Sequence, residues 1–232
     1  MKCVLIIGGN SDIGKSLVKY YLDRDWNVVV GYHKNIDCCD DRVKYIKCDV
    51  TDSDSIENIV KCMTSMYGNI DVMINLFCVC MDSDFFDKSK YEFMRVLEVN
   101  LVGTFLCNQI YCKYIDNGMI INMGSTDGVD TYSRYSIDYS ASKAGIINIS
   151  KSISMCTSNK ILCICPNWID TSSTRCMDSG YLESELVRIG QDRLIKLDEF
   201  IDGYSQIING KFNSGDVFRI DIKGDKLWVE RM

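Results

Sequence analysis

The chain opens with a continuous apolar run, Cys3-Val4-Leu5-Ile6-Ile7, of the length expected for a strand buried on both faces. Gly8-Gly9-Asn10-Ser11-Asp12-Ile13-Gly14 interrupts it at once, and Leu17, Val18, Tyr21 and Leu22 then recur at helical spacing. The same alternation continues along the sequence. Val28 to Val30 predicts a second strand, Val43 to Cys48 a third, then a helix to about Tyr67 and a fourth strand from Asp71 to Asn75. Residues 90 to 113 carry the longest helical stripe, built from Phe93, Val96, Leu97, Leu101, Phe105 and Leu106. Asn100 and Asn108 interrupt that stripe, and a mid-helix Asn most simply points at solvent. Met119 to Met123 predicts a fifth strand, followed by a polar turn carrying Ser125 and a helix opening with Tyr139. Lys160 to Cys165 predicts a sixth strand, ended by Pro166, the single proline. Residues 172 to 197 lack a clean period and are expected to form a mobile segment with a short helix, long enough for a substrate lid. A helix from Asp198 to about Ile208 and a last strand from Asp216 to Ile222 complete the pattern. Strands alternating with helices predict an α/β fold: a doubly wound, Rossmann-type parallel sheet of about seven strands with helices on both faces, forming one domain over residues 1–232.

Composition narrows the function classes. With 47% hydrophobic residues the chain can bury a substantial core. A net charge of -6 argues against nucleic acid or an anionic membrane as the main partner. Thirteen cysteines include Cys38-Cys39, Cys78-x-Cys80 and Cys163-x-Cys165 but no Cys-x-x-Cys pair, and His33 is the only histidine. Neither a metal site nor a disulfide framework is expected; the cysteines read as small buried apolar residues in a reducing compartment. No signal peptide precedes the first strand and no apolar run reaches membrane-spanning length, so a soluble, cytoplasmic protein is expected.

The chemistry gathers at strand ends. A buried strand, a glycine turn and a helix start form a phosphate-binding corner: Gly8 permits the tight turn, Gly14 permits close helix packing, and free backbone N–H groups at the helix start face a pyrophosphate. A glycine turn of this kind can also be merely structural. After the second strand stand Tyr32, His33 and Lys34, with no acid before Asp37; an acid there would bind ribose hydroxyls and repel a 2′-phosphate, so its lack favours NADP(H) over NAD(H). Thr51 or Asp52 could cap the next helix, Asp49 could instead hydrogen-bond an adenine amino group, and Asn75 sits where ligands gather in open α/β sheets. Tyr139 and Lys143, four apart, share a helix face. A tyrosine with a pKa of roughly 10 is a poor base at neutral pH, and a nearby cation lowers that value, so the pair can move a proton to or from a carbinol oxygen held by Ser125. Alone, the pair could equally be a surface tyrosine packing on a lysine stem.

Together these segments resemble the short-chain dehydrogenase/reductase family in its classical branch, over nearly the whole chain. The family's glycine turn is matched by Ile7-Gly8-x-x-x-Asp12-Ile13-Gly14, its Asn-Asn-Ala-Gly segment only at the first position of Asn75-Leu76-Phe77-Cys78, and its helical Asn by Asn100. Ser125, Tyr139-Ser140-Ala141-Ser142-Lys143 and Pro166-Asn167 match the remaining motifs, in order and spacing. The resemblance implies Tyr139 as acid/base, Lys143 lowering its pKa and holding the nicotinamide ribose, Ser125 orienting the carbonyl and Asn100 positioning a relay water. It implies cofactor contacts from Gly8, Asn10, Ser11, Asp12, Ile13, Gly14, Tyr32, His33, Lys34, Asp49, Val50, Asn75, Tyr139, Lys143, Pro166, Ile169 and Thr171. Gly190-Gln191-Asp192-Arg193-Leu194 and Ser214 to Asp221 bring the likeness nearest to the 3-oxoacyl thioester reductases. The activity implied is NADPH-dependent reduction of a 3-oxoacyl thioester or other small ketone by a homodimer or homotetramer. Alcohol, polyol or steroid oxidation and a non-catalytic NADP(H)-binding scaffold are the alternatives. Asp12 replaces a glycine, and its carboxylate is expected to turn away from the pyrophosphate, toward a helix cap.

Overall fold

The apolar run at the start becomes the middle of the sheet. The structure, a computed structural model, describes residues 1–36 and 40–232; Asp37, Cys38 and Cys39 lie outside the described residues. Strand β1 (Cys3–Ile7) is buried at every position and pairs in parallel with β2 (Asn27–Tyr32) on one side and β4 (Val72–Asn75) on the other. Strands β3 (Val43–Lys47), β5 (Met119–Met123), β6 (Lys160–Pro166), β7 (Val217–Lys223) and β8 (Lys226–Arg231) complete a sheet in the order β3-β2-β1-β4-β5-β6-β7-β8. All pairs but the last are parallel, as helical crossovers require. The order reverses between β1 and β4, which opens a crevice at the carboxyl ends of those strands.

Alternation along β1 sends its side chains to two cores. Val4 and Ile6 pack with Leu17 and Tyr21 of α1 (Asp12–Leu22) and with Phe200 and Tyr204 of α8 (Leu197–Asn209). Leu5 and Ile7 pack with Ile56, Ile59 and Met63 of α2 (Ser53–Tyr67) and with Tyr111 of α4 (Gly103–Tyr114). Asp52, one of the two expected caps, accepts from the N–H of Asp54 at 3.0 Å.

Four elements differ from expectation. The strand β8 joins β7 through Gly224-Asp225, with Gly224 at φ +60, and covers the edge that a seven-stranded sheet would leave open. The long stripe from 90 to 113 is divided into α3 (Lys90–Leu97), a π turn (Glu98–Val102) and α4. The extra residue of that turn carries Asn100 inward, and both Asn100 and Asn108 are fully buried rather than solvated. Helix α5 (Ile137–Ile153) begins two residues before Tyr139. The segment expected to be mobile holds α6 (Ser172–Arg175) and α7 (Ser179–Ile189), the latter capped by Asp178 and ended by Gly190 in the left-handed conformation. No helix among the described residues is long and apolar enough to cross a membrane.

Candidate active site

Turn geometry explains the glycines. Gly8 lies at φ +85, and a Cβ on it would come within 2.6 Å of the Phe77 backbone nitrogen; one on Gly14 would come within 2.5 Å of the Gly9 carbonyl. Ser11 caps α1, its Oγ accepting the N–H of Gly14 at 3.1 Å. Among the described residues no protein acceptor takes the N–H groups of Asp12 and Ile13, so the start of α1 presents donors. Asn10 anchors this turn through its amide, which donates to the carbonyl of Asn35. Asp12 does not cap α1; its Oδ2 accepts the backbone N–H of Ser172 at 2.5 Å, and that bond holds its carboxyl below the usual carboxylate range.

The wall beyond the turn is polar and sealed. Asn75 donates to Asn122 Oδ1 at 2.8 Å, and Asn122 in turn meets Asn108 and Ser150, which accounts for the buried Asn108. Asn75 Oδ1 is buried without a partner, an orphan acceptor at the crevice. His33 Nε2 lies 3.4 Å from Asp49 Oδ2, while Asp49 Oδ1 accepts from the N–H and hydroxyl of Thr51, so that carboxylate is engaged within the protein. Lys34 is exposed, and Val50 is buried against Gly103.

Ser125, Tyr139 and Lys143 meet at the end of β5. The turn Thr126–Gly128 presses on α5 so closely that a Cβ on Gly128 would lie 2.5 Å from the Ala144 nitrogen. Lys143 is buried; its Nζ donates to the Met123 carbonyl at 2.8 Å and stands 5.3 Å from the centre of the Tyr139 ring. Burial, then Cys78 and Asp127, push the Tyr139 phenol well above the ordinary tyrosine value, with a bond to Ser125 opposing. This differs from the expected lowering by Lys143, because the ammonium is turned toward Met123 and desolvation dominates. Asn100 lies behind the group: its amide bonds both the N–H and the carbonyl of Val79, at 2.8 and 2.9 Å, and donates to Ser142 at 3.1 Å.

On the far side, Pro166 closes β6, Ile169 bridges to Ile195, and Thr171 caps α6 in a reciprocal pair with Thr174. Arg188 of α7 clasps Glu185 and donates to the Thr131 carbonyl at 3.1 Å, fastening α7 beside the site. Three features escaped the sequence reading. Lys88 pairs with Asp138 at 3.0 Å in near-complete burial, Asp127 lies buried two residues after Ser125, and the Glu185–Arg188 pair is recruited from α7. Only the adjacency of Asp138 to Tyr139 and the nearness of Asp127 to Ser125 hinted at the first two.

Among the described residues no group of three or more His, Cys, Asp or Glu side chains is disposed to hold a metal ion. The donors at the start of α1, the orphan oxygen of Asn75 and the two glycines that admit no Cβ fit a dinucleotide. The Asp12 carboxylate is the feature that fits such an anion least.

Comparison with known proteins agrees with this geometry. A family model described as short chain dehydrogenase matches residues 2–181. The 3-oxoacyl-(acyl-carrier-protein) reductase FabG of Thermotoga maritima is 28% identical, with 85% of this chain and 86% of that protein aligned. Carbonyl reductase family member 4 of Xenopus laevis is 26% identical, with 95% and 96% aligned. A crystal structure of a short chain dehydrogenase from Leptospira borgpetersenii with bound NAD+ superposes with a TM-score of 0.83 at 25% identity, covering 95% of this chain and 91% of that one.

Proposed function

The chain belongs to the short chain dehydrogenase family of oxidoreductases, and from that premise we propose that it reduces a small ketone, of the 3-oxoacyl thioester kind or a related one, with NADPH and with Tyr139 as the general acid. The observation that carries this reading is the meeting of the Tyr139 phenol, the Ser125 hydroxyl and the buried Lys143 ammonium at the carboxyl end of β5. The start of α1, Asn75, Ile169 and Thr171 would hold the dinucleotide, which supplies the hydride when bound. Ser125 donates a hydrogen bond to the substrate carbonyl and fixes it beside the phenol. Tyr139, protonated at neutral pH as a phenol of ordinary or raised pKa is, gives its proton to the developing alkoxide. Lys143 stabilises the phenolate left behind, from a position already set by Met123. Asn100 holds the Val79 backbone and Ser142, which keeps the wall opposite Tyr139 in place.

Preference for NADPH rests on the exposed Lys34 and on His33 after β2. The segment 172–197 acts as the substrate lid, latched where Arg188 meets Thr131. Self-association as a homodimer or homotetramer is supported by the exposed Tyr91, Met94, Val102 and Phe105 on the α3 to α4 stretch.

Loss of reduced-nicotinamide absorbance with NADPH and NADH in parallel, across β-ketoacyl thioesters, diketones, ketosugars and ketosteroids, tests this function. Turnover that falls at least about a hundredfold in Tyr139→Phe supports it. A loss below about tenfold, roughly 1.4 kcal/mol, removes Tyr139 from the chemistry.

A further inference from the structure

Asp127 is a carboxyl that the reductase mechanism does not use. It follows Ser125 by two residues, its N–H donates to Ser125 Oγ at 3.2 Å, and it is only 8% exposed. Its Oδ1 accepts from Thr131 Oγ1 at 2.8 Å, and its Oδ2 takes no donor among the described residues. Among the described residues the fully sealed orphan atoms are Asn75 Oδ1, Ser83 Oγ and Ser140 Oγ, so the unpartnered Oδ2 keeps access to solvent from an otherwise buried residue. Its bond to Ser125, and its partner Thr131 whose carbonyl takes Arg188, place it beside Ser125 at the reacting end of the cleft.

Proton counting shows how the carboxyl is held. Thr126 Oγ1 meets Asn167 Oδ1 at 3.0 Å, Thr131 Oγ1 meets Thr126 Oγ1 at 2.9 Å, and Asp127 Oδ1 meets Thr131 Oγ1. Each hydroxyl has one proton to give. With Asp127 ionised, the Thr131 proton must be shared between two acceptors. Burial also raises this carboxyl above its usual range, with Glu185 adding to the rise and Thr131, Arg188 and Lys143 opposing.

Resting on the reductase reading, we propose that Asp127 is a specificity-determining residue whose free oxygen takes a hydroxyl group of the substrate, so that the site selects a hydroxylated small ketone. A substrate hydroxyl can donate to this oxygen. A cationic substrate would meet Lys143 and Arg188, and a plain alkyl chain would cover Oδ2 without pairing it. Sites built around a polar partner reject the analogue that lacks it far more strongly than apolar pockets reject a missing methylene.

The test uses two matched pairs, hydroxyacetone against butanone and 4-hydroxy-2-butanone against 2-pentanone, with NADPH, the wild-type protein, Asp127→Leu and Asp127→Asn. Binding of propane-1,2-diol against butan-2-ol to the NADP+-loaded protein, read by tryptophan fluorescence, runs beside turnover. The expected result is a kcat/KM ratio of about ten or more for at least one hydroxylated ketone over its partner. That ratio collapses toward one in Asp127→Leu and survives in Asp127→Asn, and the binding ratio follows it. Equal kcat/KM within both pairs in the wild type, or a ratio unmoved in Asp127→Leu, overturns the assignment while leaving the reductase reading intact. No reduction of any ketone alongside a binding ratio that depends on Asp127 has the opposite meaning: recognition stands and the reductase reading falls.

Discussion

Lys88 Nζ lies 3.0 Å from Asp138 Oδ2, with side-chain exposures of 3% and 0%. The same ammonium donates to the Met81 carbonyl, so one buried cation ties the loop after β4 to the residue that precedes Tyr139. Removing one partner of a buried pair leaves the other charge uncompensated. Lys88→Met is therefore expected to lower unfolding free energy by about 3 to 5 kcal/mol in denaturant titration. A loss under about 1 kcal/mol, the size of an exposed pair, would show that the pair is not buried in solution.

Asp12 and Ser172 stand 160 positions apart in sequence, yet the Ser172 N–H donates to the Asp12 carboxylate. The bond places a carboxylate between the first turns of α1 and α6, where it opposes an approaching pyrophosphate. Asp12→Gly removes that charge and frees the Ser172 N–H. We expect NADPH to bind about three- to tenfold more tightly, measured as Kd by fluorescence titration; unchanged or weaker binding would mean that the Asp12 clip helps to build the site.

The pH dependence of reduction follows from the raised Tyr139. A phenol whose pKa lies above its ordinary value stays protonated through neutral pH, so the general acid is present there and is lost only in strong base. Steady-state kcat/KM for ketone reduction should stay flat between about pH 6 and 9, while the reverse oxidation climbs with pH. A reduction rate that drops tenfold per pH unit above neutrality would contradict this.

Arg193 donates to both carboxylate oxygens of Glu199, at 2.8 and 2.7 Å, and this holds Glu199 down from 4.5 to about 2. A depressed acid contributes stability that is complete above its ordinary pKa and is lost as pH falls through its folded value. Wild type should exceed Glu199→Gln by about 1 kcal/mol at pH 6, after allowance for solvent screening, and the gap should close between about pH 4.5 and 2. Thermal melts of both proteins across that range give the answer; parallel curves would assign the ion pair no net role.

The sequence by itself determined seven strands of the sheet, the glycine corner and the pairing of Tyr139 with Lys143, because each is written in local signals. Cys3–Ile7 is uniformly apolar, Gly8 must adopt φ +85, and a spacing of four places Tyr139 and Lys143 on one helix face. A local signal was also present for β8, in the two-residue Gly224-Asp225 connection, but the charged ends of Lys226–Arg231 masked its alternation. Tertiary structure alone decided which polar residues are buried and with whom. The inward turn of Asn100, the pairing of Lys88 with Asp138 across 50 positions and the approach of Arg188 to Thr131 across 57 depend on helices meeting in space. A charged or amide side chain is tolerated in a core only when its partner arrives there too, and sequence neighbours do not record that meeting.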